Sequence, residues 1–273
     1  MAKVTDITTA LAQIPPFPQI AVDVLSLLKD PNTPAQRIVS LVEKDVAITT
    51  SVLRLANSGL YGRRRTVGSV RSAFRILGAE NFSQAVIRAS MKQYVGSARP
   101  EADLNRCWAH SVACSEIAKI LATGLNFPPD IALAAGLLHD IGRFGLAIAA
   151  PAKHNALLNG GGYLDIIEAE REIFGIDHTE AGRLLAEQFN LPDEIRIAAG
   201  RHHDNISGDE PDMLSVVSVA CNVASAVGFQ VVSQAIPKSL DDVIATAPFP
   251  MRGRISPDAE AWTAALLSAL GSN

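Results

Sequence analysis

"SVRSAFRILG", residues 69–78, decides the fold class. Val70, Ala73, Phe74 and Leu77 fall at i, i+3, i+4 and i+7, which gathers four apolar side chains on one face of a helix and on no single face of a strand. Ser69 stands where an N-cap accepts from a free backbone N–H, and Gly78 where a helix ends. The same period recurs over 18–29, 35–43, 46–57, 80–95, 102–123, 129–140, 179–189, 193–202, 212–227 and 257–270. No alternating strand pattern competes. The expected fold is therefore all-α, a multi-helix bundle with a smaller N-terminal helical lobe.

Composition supports a packed protein: 273 residues, 48% hydrophobic and 19% charged, are enough to bury a core and exclude a disordered chain. Cys107, Cys114 and Cys221 are too few and too unpatterned for a disulfide framework or a zinc ribbon, and read as small buried hydrophobes in a reducing compartment. The first residues lack the basic start and apolar middle of a secretory signal, so the expected location is cytoplasmic. Met213 to Pro237 holds no charge, but Ser215, Ser218, Asn222 and Ser225 form a polar stripe at helical spacing. A buried core helix explains that better than a membrane span.

The net charge of −4 hides a split. Residues 1–100 carry thirteen Lys/Arg and six Asp/Glu, or +7; the remainder carries eleven and twenty-two, or −11, together with all six histidines. Three parts are expected: an N-terminal lobe (1–99), a histidine-bearing lobe (100–227) and a C-terminal extension (228–273) whose helix covers a pocket, docks a partner or forms a dimer. In the first lobe Arg63, Arg64, Arg65, Arg71 and Arg75 place five positive charges within thirteen residues, with Arg71 and Arg75 on one helix face. Such a cluster attracts a signalling protein partner or a small anionic ligand, unless it faces the acidic second lobe or solvent. Tyr61 and Phe74 are too few to interleave as a stacking surface, so nucleic acid is not the expected ligand, and no membrane partner is expected. Asn57-Ser58-Gly59 reads as a helix C-terminus with Asn57 or Gly59 at positive φ. Oligomeric state is not legible.

"GLLHDIGRFG", 136–145, sets His139 beside Asp140 at a helix end, with Gly142 as the stop. Adjacent side chains point about 100° apart and can reach different metals. His110 lies within a helix, His178 opens one behind Asp177 and Glu180, and His202-His203-Asp204 closes another. A site inside a helical bundle is assembled in this way. His154 matches nothing and is expected at the surface.

In this order, His110, His139-Asp140, His178 and His202-His203 resemble the metal-binding set of the HD superfamily of phosphohydrolases. Two positions depart from it. The late Asp of the pattern falls near Ala220-Cys221-Asn222-Val223, where Asn222 is offered instead, and Arg106 stands where the branch that hydrolyses cyclic di-GMP has a Glu. Ile14-Pro-Pro-Phe-Pro18, "LVEKDVAITTSVLRLANSGLYG" (41–62), Ser69-Val70-Arg71-Ser72-Ala73, Ile76-Leu77-Gly78, Trp108, His110-Ser111 and Gly136 to Asp140 resemble the HDOD family, the HD-related output domain of bacterial signalling proteins. The resemblance runs from about Ile14 to about Asp204. It implies an all-helical regulatory domain with no common catalytic activity.

The expected function is therefore binding of a partner or regulatory ligand without catalysis, around a partly retained pocket for one or two divalent ions (Fe, Mn or Zn) held by His110, His139, Asp140, His178, His202 and His203. The alternatives are a metal-dependent phosphohydrolase acting on a cyclic dinucleotide or other phosphoester, with Arg143 steadying the phosphate, and a buried hydrogen-bond network of histidines with no metal.

Overall fold

The computed structural model describes residues 4–30, 32–58, 66–96, 103–160, 165–205, 210–232 and 237–271, and among these every regular element is a helix. Two compact units emerge: residues 15–97, and residues 1–14 with 98–273.

In the unit 15–97, α2 (Gln19–Leu28), α3 (Ala35–Val42), α4 (Val46–Ala56) and α5 (Val70–Gly96) surround an apolar core that includes Val24, Val42, Val52, Ala73, Leu77 and Phe82. Each buried Val, Leu or Phe among them contributes about 1.5–3 kcal/mol. The helix opened by Ser69, whose hydroxyl accepts from the Ser72 N–H at 3.2 Å, breaks at Gly78 as expected. There φ is 74° and ψ 168°, a conformation that side chains resist, and a second helical stretch follows at once.

Asn57 differs from expectation. Its φ is −95°, and its side chain ends the helix instead: Nδ2 donates to the Leu53 and Val67 carbonyls, and Oδ1 accepts from the Val67 N–H at 2.7 Å. Gly59 lies outside the described residues.

The other unit contains α6 (Asn105–Leu125), α7 (Pro129–Leu138), α8 (Ile141–Ala149), α9 (Pro151–Asn159), α10 (Ile166–Phe174), α11 (His178–Gln188), α12 (Asp193–Arg201), α13 (Met213–Ala226), α14 (Leu240–Thr246), α15 (Phe249–Arg252) and α16 (Ala259–Gly271). It also contains α1 (Val4–Leu11), which packs on α8 and α11. α6 packs between α7 and α13, while α11 packs against α8 and α12. The C-terminal segment belongs to this unit: α16 lies on α6, and the Thr263 hydroxyl donates to the Val227 carbonyl at 3.2 Å. The expected division at 99 and 227 therefore differs from the observed packing at α1 and at the C-terminal helices.

α13 is buried on most of its surface, in keeping with a core helix. Among the described residues one stretch, Pro129–Ala149, has the length and apolarity to cross a membrane; it is wholly buried within this unit, and the helix breaks at His139–Asp140.

Candidate metal centre

The break between α7 and α8 creates the centre. His139 caps the C-terminus of α7, and Asp140 occupies the N-cap of α8 without capping it, which leaves its carboxylate to turn inward. Gly142 does not stop a helix, contrary to the sequence reading; it sits inside α8, and a Cβ there would fall on the His178 carbonyl oxygen. The missing side chain lets α8 and α11 approach closely enough to bring Asp140 beside His178.

Four imidazoles are held in the same sense. Nδ1 of His110 meets the Phe229 carbonyl at 2.8 Å, that of His139 the Gly136 carbonyl at 2.7 Å, and that of His202 the Ala198 carbonyl at 2.9 Å. Nδ1 of His178 meets the Glu170 carboxylate, which also accepts from the His178 backbone N–H. Carbonyl oxygens only accept, as does the Glu170 carboxylate once ionised, so each Nδ1 is then the donor and each Nε2 faces inward. The Nε2 atoms of His110 and His139 lie 3.3 Å apart, and those of His178 and His202 3.2 Å apart. Burial holds the His110, His139 and His178 imidazoles below their ordinary range, so these rings are neutral and their Nε2 atoms bear lone pairs. The His110–His139 contact is consequently not a hydrogen bond between neutral rings.

Asp140 stands among them at 1% exposure. Its Oδ1 lies 3.3 Å from His178 Nε2 and 3.4 Å from His202 Nε2, and its Oδ2 3.9 and 3.8 Å from those of His110 and His139. Oδ1 has no hydrogen-bond partner. Burial would raise this carboxyl, but the Arg143 guanidinium beside it holds it well below the usual carboxylate range. Arg143 is itself buried: Nε donates to Asp140 Oδ2 at 3.0 Å, Nη1 to Glu170 Oε1 at 2.9 Å, and Nη2 lies 3.3 Å from His178 Nε2. Burial pushes the Glu170 carboxyl up to about 7 against the pull of Arg143.

The structure thus brings together His110, His139, Asp140, His178, His202 and His203, whose ligand atoms fall into overlapping groups able to hold a metal, and sets Arg143 against Asp140. Of these residues His203 alone is exposed. Two members were missed from sequence. Glu170 falls on the buried stripe of α10 with Ala169 and Phe174, and a carboxylate on such a stripe was the available signal. Cys221, taken for packing, points its sulfur at His110 Nε2 from 3.5 Å, whereas Asn222 turns its amide to the Ser218 carbonyl. His154 is buried, not at the surface, with Nε2 3.2 Å from the Asp103 carbonyl. Arg106 is exposed one turn before His110. Arg71 and Arg75 are exposed on α5, away from any histidine in sequence; Arg63, Arg64 and Arg65 lie outside the described residues.

A family model of the HDOD domain matches residues 14–205. The chain belongs to the HDOD family. An HDOD domain protein of unknown function from Geobacter sulfurreducens shares its fold, with a TM-score of 0.75 at 23% identity over 98% of this chain and 95% of that one. An uncharacterized protein of Treponema pallidum is 24% identical over 251 residues, 86% of this HDOD chain and 46% of the relative. Ribonuclease Y of Thermus thermophilus is 32% identical over 111 residues, 41% of this chain and 14% of that enzyme. The chain therefore spans less than half the length of these curated relatives.

Proposed function

We propose that this HDOD chain is a regulatory module of signal transduction that holds one or two divalent ions in its His/Asp centre and acts through a protein partner or small anionic ligand, without turnover. One observation carries the metal: inward Nε2 lone pairs gather around a buried carboxylate oxygen that has no partner. Such a donor set suits a divalent cation. His110, His139, Asp140, His178, His202 and His203 would hold it, and nitrogen and carboxylate donors suit Fe, Mn or Zn. A bound ion supplies positive charge that ties together α6, α11 and the ends of α7 and α12, so occupancy would set the rigidity of the whole unit.

Closure argues for regulation. His110, His139, Asp140, His178 and His202 are buried, and the Arg143 guanidinium is spent inside the centre, with Nε on Asp140 and Nη1 on Glu170. Arg71 and Arg75, with Arg63, Arg64 and Arg65 in the same stretch, form the proposed contact for an acidic partner or anionic ligand.

A phosphohydrolase is the second reading. It is favoured by Asp140, which turns one oxygen toward each histidine pair, and by the partial likeness to ribonuclease Y. Metal analysis of protein purified without chelator, beside His139→Ala, tests the first reading: about one or two equivalents lost in the variant are expected. Metal in neither protein would overturn it. Turnover of cyclic di-GMP or bis(p-nitrophenyl) phosphate by the loaded protein, abolished by Asp140→Ala, would replace regulation with hydrolysis.

A further inference from the structure

The centre is chemically lopsided. On one side His178 and His202 face Asp140 Oδ1, with His203 completing a group of nitrogens. On the other, His110 and His139 share their space with sulfur: their Nε2 atoms and Cys221 Sγ all lie within 4.8 Å of one another. Around a tetrahedral ion with metal–nitrogen bonds of about 2.0–2.1 Å and a metal–sulfur bond of about 2.3 Å, neighbouring ligand atoms are roughly 3.3–3.6 Å apart. The observed separations are 3.3 Å between the two nitrogens and 3.5 Å between sulfur and His110 Nε2.

We infer that Cys221 is a thiolate ligand, so that His110, His139 and Cys221 form a nitrogen–sulfur site that takes thiophilic ions such as Zn2+ or Co2+ in preference to Mn2+ or Mg2+. The assignment rests on the metal reading proposed above and makes one half of the centre selective. Softness decides the preference: thiolate favours zinc-like ions, whereas a carboxylate in that place favours harder ones. On coordination the S–H bond breaks, the proton leaves to solvent, and the sulfur electron pair goes to the metal. Placement supports the role. α13 carries Cys221 on the face turned toward α6, where the sulfur meets the inward nitrogen of His110, itself oriented by the Phe229 carbonyl. Cys114, also buried near α13, directs its sulfur to the Val217 carbonyl instead, so burial between these helices does not by itself aim a thiol at a histidine.

The test is a Co2+ titration of the full metal-free chain followed by absorption spectroscopy, beside Cys221→Ser and Cys221→Asp. The expected wild-type spectrum has ligand-field bands together with a near-ultraviolet sulfur-to-cobalt charge-transfer band. In both variants the charge-transfer band disappears while ligand-field bands persist, and Cys221→Asp shifts competition toward Mn2+. Far-ultraviolet circular dichroism identifies a variant that fails to fold, and the wild-type spectrum decides the question without the variants. Ligand-field bands without charge transfer in wild type would overturn sulfur ligation and leave the metal reading standing. No cobalt binding at all would overturn both.

Discussion

Both units bury apolar side chains, but the histidine-bearing one adds a buried cluster of charged and imidazole groups. Residues 15–97 close over Val, Leu, Ile and Phe, and use polar side chains such as Asn57 and Ser69 to finish helix ends. The histidine-bearing unit buries an arginine, an aspartate, a glutamate and four imidazoles in contact with one another. An apolar core needs only volume and shape, whereas a charged core is stable only while each member keeps its partner. The first is tolerant by construction; the second ties stability to the chemistry of a site.

The largest break in that comparison is Asp140→Ala. Removing the carboxylate leaves Arg143 buried with one of its two carboxyl partners gone, and the expected loss is about 3–5 kcal/mol in urea unfolding of the metal-free protein. A loss under about 1 kcal/mol would mean that the charged core is no more demanding than the apolar one. Next comes Glu170→Gln. The folded Glu170 carboxyl holds its proton up to about 7, against 4.5 in the ordinary range. Its contribution is therefore fully present below about 4.5 and is lost as pH rises through 7, by up to about 3 kcal/mol. Unfolding of wild type and variant across that window should show wild type weakening relative to the variant; parallel curves would remove Glu170 from the account.

In the apolar unit Asn57→Ala should cost about 1–2 kcal/mol, independent of pH and metal, because it deletes only neutral hydrogen bonds. A metal-dependent change at this position would contradict the contrast. Arg71→Glu with Arg75→Glu is the smallest expected effect on stability, within about 0.5 kcal/mol, since both residues are exposed. Should these reversals leave binding of a polyanion such as heparin unchanged, the proposed basic contact would be wrong.

How much of this was legible in the sequence follows from what periodicity measures. It assigns a residue to a helix and a face, so the all-α class and the break at Gly78 could be read, while the histidine and aspartate members of the centre are legible through the order they share with the HD superfamily. It does not say which faces meet. Glu170 reaches His178 through the turn that follows α10, and Cys221 meets His110 across 111 positions, so neither partnership leaves a local trace. The polar stripe on α13 drew the eye to Asn222, while its neighbour Cys221, one helical step away, faces the site. Gly142 looked like a helix end because a glycine demanded by close approach and a glycine demanded by a turn are the same letter.

Asn57 and Val67 are pinned to each other by two hydrogen bonds between the Asn57 side-chain amide and the Val67 backbone. The end of α4 and the stretch leading into α5 are thereby fastened to each other directly, and lengthening the connection costs little, about 0.6 kcal/mol for each doubling. A change of length between residues 57 and 67 is therefore expected to leave the packing of this unit in place, because the fastening is made by Asn57 and Val67 themselves.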